Sequence, residues 1–156
     1  NKNENTLIGT SASYESIFDS ISLKKKYKFF SYLLRIYKFK KHFSKFPNPH
    51  IRTSSFLIRG NLFLEYMGNK DIKNKEDTWI IESGKKSLTN YFKKRNFDIF
   101  VINSDGKNFT EDEWKNSETY NYLQQTKTII SDKHSRKYLK LNDIEKKNSQ
   151  LKSWGS

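Results

Sequence analysis

The stretch WIIESGKKSLTNYFKKRNFDIFVIN, Trp79–Asn103, decides the fold that we predict for this chain. Its first three residues are apolar, as at the end of a strand, and a Ser-Gly turn follows. Leu88, Tyr91 and Phe92 then share one face at the helical period of 3.6 residues. Asp98–Ile102 changes to the continuous apolar pattern of a buried strand. This order predicts an α/β fold, in which a mixed sheet is flanked by helices.

Glu82 is the only carboxylate between Asp77 and Asp98. The surrounding pattern places it where a strand or tight turn leads into a helix, and loops at such junctions often carry binding or catalytic groups. One hypothesis is a general base at the rim of the sheet, with Ser83 and Lys85 as substrate-binding neighbours. The other is a carboxylate that stabilises the positive end of the helix dipole.

Three segments are predicted to be strands of one mixed sheet: Thr6–Gly9, Thr53–Ile58 and Ile99–Ile102. We expect the helix Ser87–Lys94 to pack on this sheet through its apolar face. A further strand or extended segment is predicted at Thr126–Ile130. A single domain of residues 1–156, or the C-terminal part of a larger domain, would hold these elements.

The composition excludes several classes of site. The chain has no cysteine, which rules out disulfides, cysteine-ligated zinc and a thiol nucleophile. It has no run of 18 apolar residues, so no spanning helix is predicted. We expect the protein in the cytoplasm, with the inner face of the membrane as one place of action.

The positive charge is concentrated in one region. The net charge is +13, and eleven Lys or Arg residues but no Asp or Glu lie in Ser20–Leu64. Within it, Leu23–Phe43 is predicted to be a long basic amphipathic helix with an apolar stripe. The stripe consists of Leu23, Tyr27, Phe30, Leu34 and Tyr37. An ordinary docking helix is favoured, followed by an anionic membrane surface; nucleic acid is disfavoured, since no known nucleic-acid motif accompanies the helix.

His50 follows two prolines and begins a predicted strand, His50–Ile58. Alternate residues of a strand share a face, so we expect His50, Arg52 and Ser54 to point the same way. A guanidinium beside an imidazole suits a phosphate or a sugar hydroxyl. The alternative is an ordinary edge strand at the surface.

A second polar group is Asp132-x-His134-x-Arg136. Carboxylate, imidazole and guanidinium in this spacing suit a metal ion or a diphosphate. The alternative, which we favour, is the polar start of a helix with Asp132 as its N-cap.

Four stretches carry a resemblance to a known family. PNPHIRTSSFLI (Pro47–Ile58), IESGKKSLT (Ile81–Thr89), NSDGKNF (Asn103–Phe109) and TIISDKHSRKY (Thr128–Tyr138) resemble bacterial glycosyltransferase-like proteins. The similarity covers about Leu7 to Tyr138. The order of parts looks like the C-terminal, acceptor-side portion of GT-A-type glycosyltransferases.

The resemblance implies a transferase that moves a sugar from a nucleotide-sugar donor to a glycan or lipid-linked acceptor, as in cell-envelope polysaccharide synthesis. It implies Glu82 as the catalytic base and Mg²⁺ or Mn²⁺ as a metal, with Asp132 and His134 as candidate ligands. The implied substrate-binding residues are His50, Arg52, Ser83, Lys85 and Arg136. It also implies an upstream donor-binding segment, without which the chain is expected to be inactive.

The sequence departs from the family pattern at two points. Glu82 is followed by Ser83, so the usual acidic pair is incomplete, and the chain has no metal-binding Asp-x-Asp motif. The alternative hypothesis is therefore a non-catalytic basic module that binds an anionic membrane surface or nucleic acid.

Overall fold

A computed structural model describes residues 5–20, 29–68 and 70–156. The strands are β1 (Thr6–Gly9), β2 (Ala12–Ser13), β3 (His50–Ile51), β4 (Phe56–Leu57), β5 (Asp98–Ile102) and β6 (Asn108–Phe109). The helices are α1 (Phe29–His42), α2 (Gly60–Met67), α3 (Lys75–Ser83), α4 (Leu88–Lys93), α5 (Lys133–Leu139) and α6 (Asp143–Trp154), with a 3-10 helix at Glu111–Ser117. In these residues the protein is therefore mixed α/β.

The main sheet has four strands in the order β4-β1-β5-β6. β1 and β5 are parallel, with Thr6 opposite Asp98 and Gly9 opposite Val101, and the other two pairings are antiparallel. β2 and β3 form a separate antiparallel pair. The prediction of one mixed sheet from the three apolar segments is confirmed.

Helix α4 covers this sheet as predicted, packing against β5 and β1. Ser87 caps the helix, and its hydroxyl accepts a hydrogen bond from the Asn90 N–H at 3.3 Å. The Phe92 side chain is fully buried, with ring centroids 5.7 Å from Tyr91 and 5.6 Å from Phe97. Aromatic contacts of this kind make Phe92 the centre of the core beneath the sheet.

The predicted strand end before Glu82 is wrong, because Trp79–Ile81 lies inside helix α3. The helix begins with a capping box: the Asn74 side chain accepts from the Asp77 N–H, and the Asp77 carboxylate accepts from the Asn74 N–H. It ends at Gly84, where a Cβ atom would lie 2.6 Å from the Ile80 carbonyl oxygen. These end signals outweighed the β-branched residues between them.

The predicted continuous strand His50–Ile58 is also wrong, because a turn at Thr53-Ser54 divides it into β3 and β4. The backbone bonds change partner across the turn: the Arg52 N–H donates to Ser11, whereas the Ser55 carbonyl accepts from Thr10. The two halves consequently belong to different sheets.

Helix α1 occupies the later part of the predicted basic helix, and the part before Phe29 lies outside the described residues. The face of α1 that packs on the domain carries Phe39, which is buried. Its ring centroid lies 5.2 Å from that of Phe43, a buried residue directly after the helix. Leu34 and Tyr37 of the predicted apolar stripe are exposed instead. No helix in the described part of the chain has the length and apolar character required to cross a bilayer.

The predicted strand Thr126–Ile130 is absent, and an irregular loop takes its place. The Thr128 hydroxyl bonds to the carbonyl oxygens of Thr119 and Gln125. Leu123 and Gln125 have positive φ angles of 46° and 52°. Side-chain bonds to nearby backbone therefore compete with strand pairing here.

Candidate active site

A cavity of about 750 Å³ lies beside the carboxyl end of helix α3 and the start of β3. Five residues proposed from the sequence line it: His50, Arg52, Glu82, Ser83 and His134. Glu15, Trp79 and Tyr120, which the sequence analysis did not propose, line it as well. Segments that are distant in the chain thus bring carboxylates, imidazoles and aromatic rings together.

Glu82 lies in the last turn of α3, and not at a strand-to-helix turn. The hypothesis that Glu82 stabilises the positive end of a helix dipole is therefore wrong, because the negative end of the dipole lies at the carboxyl end of a helix. The side chain is half-buried, and its Oε1 accepts a hydrogen bond from the Thr53 N–H at 3.1 Å. A carboxylate held in this way at the wall of a cavity is available to a ligand.

His50 is buried and lines the same cavity. Its Nδ1 lies 2.8 Å from the Asn48 carbonyl oxygen, so Nδ1 carries the proton and Nε2 is left as an acceptor. Burial lowers the pKa of His50, an effect that outweighs the Asn48 carbonyl and the nearby Glu82 and Glu15 carboxylates, which raise it. Arg52 lowers it further. The imidazole is therefore neutral near pH 7.

The Arg52 guanidinium is held by the protein itself. Its Nη2 lies 2.7 Å from Asp132 Oδ2, and its central carbon lies 3.8 Å from the centroid of the Tyr120 ring. Burial raises the pKa of Asp132, but the Ser135 N–H and the Arg52 charge outweigh it and bring the pKa below its usual value. Arg52 thus fixes the wall of the cavity and is not the free cationic fork that the sequence suggested.

The remaining proposed residues lie apart from the cavity. Asp132 caps α5, as favoured, by accepting the Ser135 N–H at 2.8 Å. Arg136 is exposed and donates to the Ser131 carbonyl, and Lys85 is exposed and donates to the Lys40 carbonyl. These two side chains do not line the cavity with Glu82.

The residues proposed as metal ligands do not match a divalent-metal site. Asp132 is already engaged by Arg52 and by the start of α5, which leaves His134 alone as a donor. Among residues 5–20, 29–68 and 70–156, no group of three or more His, Asp or Glu side chains is arranged to hold a metal ion. We therefore assign no metal-dependent step to these residues.

Asn48 connects three parts of the site. Its side-chain amide donates to the Ser83 carbonyl at 2.7 Å, its carbonyl accepts from His50, and its N–H donates to the Tyr14 carbonyl at 2.9 Å. The residue is buried. Asn48 was not proposed from the sequence, because its partners Ser83 and Tyr14 are distant in the chain. The available signal was an asparagine between two prolines, two residues before a histidine.

Glu15 is another lining residue that was not proposed from the sequence. Its carboxylate lines the cavity and accepts a hydrogen bond from the Ser153 hydroxyl at 2.9 Å. It lies two residues after the end of β2 and outside the main sheet. Its partner Ser153 is 138 positions away in the chain, so the sequence carries no local mark of this contact.

Comparisons of the chain with protein-family models, curated proteins and solved structures gave no match. The chemistry of the cavity is therefore the guide to function. Its wall combines the carboxylates of Glu15, Asp19 and Glu82, the neutral imidazole of His50 and the rings of Trp79 and Tyr120. Polar groups among aromatic surfaces suit a small ligand rich in hydroxyl groups.

Asn48→Ala is expected to lower the free energy of unfolding by about 1–3 kcal/mol, because the buried Ser83 carbonyl loses its side-chain donor. Urea denaturation measures the change. Asn116→Ala, at an exposed asparagine of the 3-10 helix, is the matched control and should change stability by less than about 0.5 kcal/mol. Equal effects of the two substitutions would contradict the connecting role of Asn48.

The free energy of unfolding should decrease as the pH is lowered from about 6.5 to the lowered pKa of His50. In that window the unfolded chain binds a proton at this histidine and the folded chain does not, so the free energy of unfolding decreases as pH falls, by up to about 1.4 kcal/mol per pH unit. Urea denaturation of wild type and His50→Gln at several pH values tests this. His50→Gln should have the shallower slope; identical slopes would contradict a neutral buried His50.

Proposed function

We propose that the cavity binds a sugar acceptor, and that this chain is the acceptor-side portion of a GT-A-like glycosyltransferase. The observation that carries the proposal is the shared cavity of Glu82 and His50, two groups that can accept protons from sugar hydroxyls. The resemblance of the surrounding sequence stretches to glycosyltransferases supports the same reaction class.

In the proposed reaction, Glu82 takes the proton from an acceptor hydroxyl as its oxygen attacks the anomeric carbon of the donor sugar. The new bond joins that oxygen to the anomeric carbon, and the bond from the anomeric carbon to the nucleoside diphosphate breaks, with the electron pair leaving on the phosphate. A positioned base contributes about 10²–10⁴-fold to such a step. His50 accepts a hydrogen bond through Nε2 and orients the acceptor.

The walls of the cavity suit both parts of the ligand. Trp79 and Tyr120 offer aromatic surface to the apolar face of a sugar ring. Arg35 and Lys152 also line the cavity, and neither forms an ion pair among the described residues. In the proposal, these cations face the negative charge of the departing diphosphate.

Sugar binding can be tested separately from catalysis. We suggest following backbone amide resonances of the chain during titration with common hexoses, N-acetylhexosamines and their disaccharides. At least one sugar should shift the amides of Glu82, Thr53 and Tyr120, and Trp79→Ala should weaken its binding by about tenfold, the scale of one lost aromatic contact. The control is Tyr37→Ala, which removes an exposed aromatic ring of α1 that does not line the cavity.

Two results would count against the proposal. One is the absence of shifts at these amides with every sugar tested. The other is a binding sugar whose affinity is the same in Trp79→Ala as in wild type.

A further inference from the structure

Helix α1 exposes a compact apolar surface. Leu33, Leu34 and Tyr37 are 44%, 57% and 76% exposed. At 100° per residue these three positions fall within one arc of about 100° on the helix. They therefore form a single patch, which we call the α1 patch, rather than isolated surface residues.

The α1 patch points away from the domain. Phe39, only 2% exposed, is the residue that anchors α1, and its position on the helix lies nearly opposite the centre of the patch. Phe39 packs against Phe43. Nothing in the described residues covers the patch, whereas the anchoring side of the same helix is buried.

Lysines frame the α1 patch. Lys38 lies on one side of it, Lys40 on the other and Lys41 at its carboxyl end, and all three are exposed. Lys38 forms an ion pair with Glu76, while Lys40 and Lys41 form none among the described residues. α1 itself contains no acidic residue. The surface is thus apolar at its centre and cationic at its edges.

We propose that the α1 patch docks on the surface of an anionic lipid bilayer. The apolar side chains enter the interface, while the lysine stems extend their ammonium groups toward lipid phosphates and carboxylates. A second copy of α1 would bring like charges together, because the helix carries no acidic side chain. Nucleic acid offers phosphates to the lysines but leaves Leu33 and Leu34 without an apolar partner.

Docking through α1 would bring the cavity close to the bilayer. Arg35 lies on α1 and lines the cavity, and the ion pair between Lys38 and Glu76 joins α1 to α3, which carries Glu82. If the proposed transferase function holds, its acceptor is therefore a membrane-anchored glycan. The docking itself stands without that function, since it depends only on the α1 patch and its lysines.

Vesicle sedimentation tests the docking. The chain should bind vesicles that contain phosphatidylserine and phosphatidylcholine, bind phosphatidylcholine vesicles weakly, and release as salt rises. The double variant Leu34→Asp/Tyr37→Asp should reduce the partition coefficient on the anionic vesicles by about tenfold or more. Far-UV circular dichroism and the melting temperature establish that the variant is folded.

The matched control is Leu64→Asp/Ile144→Asp, which makes the same charge change at two exposed apolar residues on α2 and α6. It should keep at least half of the wild-type partition coefficient. An equal loss in both double variants would assign the binding to net charge and overturn the α1 patch. Wild-type binding by folded Leu34→Asp/Tyr37→Asp, or binding to duplex DNA but not to vesicles, would overturn it as well.

Discussion

Glu82→Gln is expected to lower the proposed glycosyl transfer by about 10²-fold or more, the scale of a lost general base. The measurement is kcat in a protein that joins this chain to a nucleotide-sugar-binding half. Glutamine keeps the shape of the side chain, and its amide oxygen can still accept the Thr53 N–H. It cannot take a proton from a hydroxyl, so KM and the melting temperature should change little while kcat falls.

Glu65→Gln supplies the control for this experiment. Glu65 lies on α2, forms an exposed ion pair with Arg95 and does not line the cavity. Loss of that pair should cost at most about 1 kcal/mol of stability and leave kcat unchanged. Full transferase activity in Glu82→Gln would remove Glu82 from the mechanism, whatever the sugar-binding titration showed.

Phe92→Ala is expected to lower the free energy of unfolding by about 3–5 kcal/mol, because it removes a buried aromatic ring and leaves a cavity. Phe92 is fully buried in α4 and packs against Tyr91 and Phe97 beneath the main sheet. Native domains are stable by only about 5–15 kcal/mol, so a large fraction of the variant molecules should be unfolded at a moderate urea concentration. Urea denaturation followed by circular dichroism measures the shift.

Leu64→Ala removes a comparable side chain from the exposed face of α2 and should change stability by less than about 0.5 kcal/mol. The difference between the two substitutions measures burial and not helix propensity. A loss below about 1 kcal/mol in Phe92→Ala would contradict the position of Phe92 at the centre of the core.

The elements that sequence analysis placed correctly are those with strong local patterns. β1, β5 and α4 have continuous apolar runs or a clear helical period, and the Asp132 cap is marked by its own residue type. Helix α3 was missed because its apolar triplet is β-branched and aromatic, a composition that favours strands. Its start signal is the capping box of Asn74 and Asp77, two polar residues that precede the triplet.

The site could be predicted only in part, because some of its residues act through partners that are distant in the chain. Glu82 and His50 stand out by residue type and surroundings, and the structure gives them one cavity even though both local predictions around them were wrong. Asn48 and Glu15 act through partners distant in the chain, such as Ser83 and Ser153. A single sequence carries no local mark of such contacts, so residues that connect segments remain hidden until the fold is known.

The parallel pairing of β1 with β5 affects when the cavity can form. Thr6 pairs with Asp98, so the central sheet cannot close during synthesis until most of the chain has left the ribosome. Non-local contacts of this kind slow folding, because the loop between the strands must be ordered before the pairing stabilises it. Glu15 follows β1, while Tyr120 and His134 lie beyond β5. The complete wall of the cavity is consequently a late product of folding. Until then the backbone N–H and C=O groups on the β5 side of β1 stay unpaired, and chaperones or other chains can bind them.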